Sequence, residues 1–130
     1  MMRALLCGWL AICPPVTGTA VVQDGDTITI DGNKFRLYGI DAEELNTMHG
    51  RAARSALIRL IGASVVTCVP TKTTSHHRIV AKCSTPDIPD LGREMVKRGY
   101  ALDCYRYSFG YYRSYEAPDA RSRLTQAPYC

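Results

Sequence analysis

The chain has no closely spaced Cys-x-x-Cys pair, although six of its 130 residues are cysteine. Zinc sites use such pairs, so their absence argues against one. There is no internal repeat and no low-complexity linker, which leaves one domain with a single core. No apolar run is long enough to cross a bilayer; the longest candidate, Ala4 to Ile12, falls well short. Hydrophobic content of 46% and charged content of 22% are ordinary for a globular protein, and a net charge of +4 suits a polyanionic partner without establishing one.

What is present begins with the cysteines Cys7, Cys13, Cys68, Cys83, Cys104 and Cys130. So many without metal spacing point to disulfides and an oxidising compartment. Met1-Met2-Arg3, the apolar run and the small residues Gly18-Thr19-Ala20 have the order of an export signal. Leu10-Ala11-Ile12-Cys13 is a poorer fit to a lipid-attachment site. The expected division is a possible signal or apolar segment over 1–20 and a folded domain over 21–130. The alternative is an apolar first strand that stays in the fold.

Patterning predicts strands over Val16–Gln23, Thr27–Ile30, Lys34–Ile40, Ser64–Val69 (ended by Pro70) and Arg78–Cys83. Asp31-Gly32-Asn33 is a hairpin signal. Ala53, Leu57, Leu60 and Ile61 recur at helical spacing, which predicts a helix over Thr47–Ile61 stopped by Gly62. Asp90 is placed to cap a second helix running through Arg98. A third is expected from Ser114 or Pro118 to Leu124. Thr71–His77 reads as a polar loop, Tyr100–Tyr105 as extended and Tyr107–Arg113 as loop. Five short strands around one core predict a mainly β, α+β fold, a small closed barrel with flanking helices.

The chemistry concentrates in Asp24-Gly25-Asp26-Thr27 and in Phe35-Arg36-Leu37-Tyr38-Gly39-Ile40-Asp41-Ala42-Glu43-Glu44. Strand alternation turns Arg36 away from the face of Phe35 and Leu37. Clustered carboxylates are hard oxygen ligands of the kind Ca²⁺ takes, and a guanidinium grips phosphate through two donors. Together they point to metal-assisted attack on a phosphodiester. The alternatives stay open: Asp24 and Asp26 as turn formers, Arg36 as a structural ion pair with Asp41 or Glu44, and Arg78 as a solvated charge.

These motifs, with the later Met95-Val96-Lys97-Arg98-Gly99-Tyr100-Ala101, resemble the staphylococcal nuclease (thermonuclease-like) family in order and spacing, from about Val21 to Leu124. The resemblance implies a five-stranded OB-type barrel with three helices. It implies one Ca²⁺ held by Asp26, Asp41 and the backbone carbonyl of Ala42, with Asp24 secondary. It implies Arg36, Glu44 and Arg78 as catalytic residues, and Tyr105 and Tyr107 against a bound nucleotide. Glu43 stands where the family usually has proline, so a stiffening residue is replaced by another carboxylate. Thr74-Ser75-His76-His77 also departs from the family's usual loop.

Cys68 and Cys83 fall near the ends of two strands expected to pair antiparallel, and are predicted to bond. Cys104 is predicted to bond Cys130 and tie the tail to the barrel. Cys7 and Cys13 then pair with each other, or Cys7 leaves with a signal segment. The expected protein is an exported, monomeric, Ca²⁺-dependent nuclease acting on DNA and RNA, single-stranded or frayed. No element for base reading is evident. The rivals are a nucleic-acid-binding barrel that does not cut and an accessory protein of a cell-envelope pathway.

Overall fold

The N-terminal segment reaches both edges of one sheet, pairing with residues 66–68 through Val16–Gly18 and with residues 27–29 through Val21–Asp24. The computed structural model describes residues 14–75 and 77–130. The apolar run over 4–12, Cys7, Cys13 and His76 lie outside the described residues. Strands β1 (Val16–Gly18) and β2 (Val21–Asp24) are separated by two residues, yet they occupy opposite edges of a six-stranded sheet ordered β1-β6-β7-β4-β3-β2. The remaining members are β3 (Thr27–Ile30), β4 (Asn33–Leu37), β6 (Val66–Ser75) and β7 (Arg78–Ser84). Counting β1 and β2 as one interrupted strand gives the expected five-stranded OB-type order. All pairings are antiparallel except β4 with β7. A cut after Ala20 would remove β1, which pairs Val16 with Cys68.

The inner face buries Ile28, Ile30, Phe35, Leu37, Ala81 and Cys83, as period-two alternation dictates. Helix α1 (Met48–Ile61) and helix α2 (Leu91–Lys97) pack beside the barrel and add Leu57, Leu91 and Met95 to the core. Thr47 caps α1 by accepting from the Gly50 amide at 2.9 Å, and Asp90 caps α2 through the Arg93 amide at 3.1 Å. Each cap contributes about 1 kcal/mol. The predicted Cys68–Cys83 and Cys104–Cys130 disulfides are both formed.

Four boundaries differ from expectation. The strand expected over Lys34–Ile40 breaks at the Tyr38-Gly39 turn, and a separate β5 (Ile40–Asp41) pairs with β8 (Leu102–Asp103). Strand β6 runs through Pro70 to Ser75, where a polar loop was expected. Among the described residues its pairing with β1 ends at Cys68, so at Pro70 no described strand needs the N–H that proline lacks on that edge; the register with β7 shifts between Pro70 and Thr74. Tyr105 opens a short helix, α3 (Tyr105–Ser108), instead of ending an extended segment. The last helix is replaced by a 3₁₀ turn at Arg113–Tyr115 and a four-residue α4 (Ala120–Arg123). With so few residues each, these have no periodicity to read.

Candidate active site

Arg36 sits on the outer face of β4, between Thr27 of β3 and Val80 of β7. Asp26 immediately precedes β3, Asp41 lies in β5 and Arg78 opens β7, so these strands and β4 deliver their charges to one place. Small residues make this possible. The Asp24-Gly25-Asp26 corner presses on α1 and on the Asp41–Glu44 loop so closely that a Cβ on Gly25 would lie 2.6 Å from the Ala53 methyl and 2.8 Å from that of Ala42. Nearer the start of α1, a Cβ on Gly50 would overlap the Glu44 carbonyl oxygen. Gly50 is therefore what lets the Glu43-Glu44 loop rest on the helix.

The guanidinium of Arg36 is only 2% exposed. It lies 3.9 Å from Asp26 Oδ2 and 3.6 Å from Asp41 Oδ1, and donates to the Ile40 carbonyl at 2.9 Å. Burial works against its charge, but Asp26, Tyr129 and Asp41 together hold its pKa above the ordinary value. Its Nε is buried with no hydrogen-bond partner among the described residues. Leaving a buried donor unmade costs about 1–3 kcal/mol. Arg78 is more open: it donates to Thr27 Oγ1 at 2.8 Å and to the Ser75 carbonyl, and lies 3.8 Å from Asp26 Oδ1.

The carboxylates are crowded and dry. Asp26 accepts from the Ala42 amide at 2.9 Å and from Thr27 Oγ1, while Asp24 accepts from the Asp26 amide at 3.1 Å. Burial and the neighbouring Asp26 push the Asp24 carboxyl up to about 7. Burial also raises Asp41, against the pull of an Ala127 N–H held at 2.8 Å. Glu43 is lowered: its burial is outweighed by hydrogen bonds from the Thr125 amide, Thr47 and His49. Its carboxylate is thus already engaged, whereas Glu44 is exposed. Both border a cleft of about 380 Å³ that Asp41 also lines.

The structure gathers Asp24, Asp26, Arg36, Asp41 and Arg78, with the Ala42 backbone bonded into the group and Glu44 at its lip. Tyr107 joins them: Arg36 lies 5.7 Å from its ring centroid, and its hydroxyl donates to Ser75 Oγ at 3.3 Å. Tyr105 is instead 62% exposed, with its ring against Phe109. His77 is exposed at the turn between β6 and β7.

Sequence reasoning missed Tyr129. Its hydroxyl accepts from Arg36 Nη1 at 3.1 Å, and its ring centroid lies 5.6 Å from the guanidinium. The available signal was indirect: a Cys104–Cys130 bond puts Tyr129 beside the segment that carries Tyr107.

Residues 34–126 match the family described as staphylococcal nuclease homologue. The succinoglycan biosynthesis protein ExoI of Rhizobium meliloti (strain 1021) is 32% identical over 111 residues, covering 77% of this chain and 58% of that protein. The chain thus spans less than two thirds of that relative. Asp24, Asp26 and Thr27 precede the family match, and the structure joins them to it through the β3–β4 ladder. With all but the first residue of β4, and the Asp41–Glu44 loop, α1, β6, β7 and α2, inside the matched span, the chain belongs to the staphylococcal nuclease homologue family.

Proposed function

We propose that the protein is an exported, Ca²⁺-dependent nuclease that hydrolyses DNA and RNA with little sequence preference. The observation that carries this reading is the placing of Arg36 and Arg78 within 4 Å of the buried carboxylate of Asp26, with Asp41 on the far side of Arg36. Asp26 and Asp41 offer hard oxygens, and the raised pKa values of Asp24 and Asp41 mark a place where added positive charge would be favourable. Among the described residues no group of three or more His, Cys, Asp or Glu forms a ready ligand cluster. The fit is therefore one of donor chemistry. Asp26, Asp41 and the Ala42 carbonyl would hold the ion, with Asp24 in support and water completing the shell. When bound, it would offset charge building on the phosphodiester oxygens.

The chain's own residues supply the rest. The unsatisfied Nε of Arg36 is suited to a phosphate oxygen, and Arg78 to a second. Glu44, exposed and free of the contacts that engage Glu43, would orient and deprotonate the attacking water. Tyr107 also lines a groove of about 320 Å³ with Tyr38, Arg106 and Phe109, where a base would stack; Tyr105 packs against Phe109 of that groove. The family resemblance would give a 5′-hydroxyl and a 3′-phosphate. The two disulfides support export, and among the described residues no helix is long and apolar enough to cross a membrane. We take the active form as a monomer.

One observation favours a second reading. The relative named for succinoglycan biosynthesis suggests an accessory role in such a pathway, with the barrel binding nucleic acid weakly or not at all. Incubating the protein, oxidised and after mild dithiol, with single-stranded DNA and with RNA, in Ca²⁺ or in chelator, separates the two. Metal-dependent shortening of both is expected. Retained binding without shortening would indicate a binding module, and neither would favour the accessory role.

A further inference from the structure

Arg36 is 2% exposed in a site whose chemistry requires it to meet a phosphate. The segment that covers it is the tail Thr125–Cys130. Three of this tail's contacts fall on residues of the site. The Thr125 amide donates to Glu43, the Ala127 amide to Asp41, and the Tyr129 hydroxyl occupies Nη1 of Arg36. The far end is fastened by the Cys104–Cys130 bond, one residue before the helix that carries Tyr107. Between these points Gln126 donates to the Asp103 carbonyl at 2.6 Å and accepts from Arg121 at 3.0 Å, while Thr125 and Pro128 are exposed and Gln126, Ala127, Tyr129 and Cys130 are half-buried.

We infer that Thr125–Cys130 is an autoinhibitory strap, that the Cys104–Cys130 disulfide latches it, and that a dithiol reductant opens the site. The inference rests on the nuclease reading for its consequence, though not for its geometry. Tyr129 imitates a phosphate: it brings an oxygen acceptor to the guanidinium and shuts out water with its ring. A tether this short keeps that oxygen at millimolar effective concentration beside Arg36, so a free phosphodiester must displace it. In the opening step a reductant thiolate attacks the Cys130 sulfur and expels the Cys104 thiolate. The reductant's second thiolate then attacks the mixed disulfide and expels Cys130. Two electrons pass to the protein, which takes up two protons to end with two thiols, and the reductant ends as a disulfide. Cys130 is half-buried, whereas Cys68 and Cys83 are 0% and 2% exposed inside the barrel. Mild dithiol therefore reaches the latch first.

The test reads Arg36 directly. Phenylglyoxal modification of Arg36 is followed by peptide mass spectrometry in the full chain: oxidised wild type, wild type after mild dithiol, Cys130→Ser, and Tyr129→Ala with its disulfide intact. Cleavage of single-stranded DNA is measured on unmodified portions of the same preparations. Tyr129→Ala guards against a Cys130→Ser variant that fails to fold. Modification of Arg36 should rise at least about fivefold in all three opened forms, the equilibrium worth of one lost hydrogen bond, while Arg78 modification stays level. Cleavage should rise with it. Exposure of Arg36 without cleavage in any form would uphold the strap and overturn the nuclease reading. Equal Arg36 modification in all forms would overturn the strap, whatever the cleavage result.

Discussion

Replacing Arg36 by methionine removes the cation held between Asp26 and Asp41 and leaves most of the side-chain volume in place. Both carboxylates are 5% exposed, so water does not take over the role of the guanidinium. Breaking a buried pair by removing one partner costs about 3–5 kcal/mol. Unfolding entropy of about 2.1 cal/mol/K per residue gives roughly 0.27 kcal/mol/K for 130 residues. The melting temperature of Arg36→Met should therefore fall by about 11–18 °C. Arg78→Met is the control. Its side chain is 15% exposed, and its single ion-pair contact, at 3.8 Å to Asp26, is long. Its loss should cost about 1 kcal/mol or less. The assay is thermal and urea unfolding of both variants beside wild type, at neutral pH and at pH 4. The Arg36→Met deficit should shrink in acid, because burial raises the pKa of Asp41 and its protonated form no longer needs a partner. Two variants equal within about 1 kcal/mol would refute the reasoning, because Arg36 would then not be the buried partner that the distances describe.

Three further outcomes follow from particular contacts. Gly50→Ala would drive a methyl into the Glu44 carbonyl, so the Glu43-Glu44 loop must move; activity should fall at least about tenfold, read as kcat with KM little changed. Asp24 has a folded pKa of about 7 against an ordinary 3.8, so the folded state holds the extra proton. Without divalent ions, its contribution to stability is complete below about pH 4 and is lost as pH rises through 7, and Asp24→Asn should flatten that part of the melting profile. Replacing Cys68 and Cys83 together by alanine opens a loop with a sequence separation of 15, which should cost about 3 kcal/mol in urea titration.

The barrel was largely legible because its strands are short runs of period-two alternation with turn signals between them. Arg36 was legible for the same reason, since Phe35 and Leu37 fix which way it points. What alternation does not encode is what lies over the outer face. That depends on contacts across 86 residues, as between Ala127 and Asp41, and across 93 residues, as between Tyr129 and Arg36. The run of β6 through Pro70 was hidden because proline's meaning depends on whether the strand has an open edge at that point, a property of β1. The short helices α3 and α4 have no side-chain cap and are held by contacts such as Ser108 Oγ to Asp103 and Arg123 to Asp119, which leave no periodic trace. Glu43 and Glu44 are adjacent and chemically alike. Only the partners Thr125 and His49 show which of them is already engaged.

The central claim is that this constellation cuts phosphodiesters, and the most direct measurement is the rate of single-stranded DNA cleavage in Ca²⁺ by wild type, Glu44→Gln and Arg78→Ala, each with its latch opened by mild dithiol. Cleavage should be abolished by chelator, lowered about 10²–10⁴-fold by Glu44→Gln and about 10³-fold by Arg78→Ala, with the melting temperature of each variant close to that of wild type. Cleavage unchanged in both variants, or absent in wild type across divalent ions, would contradict the account.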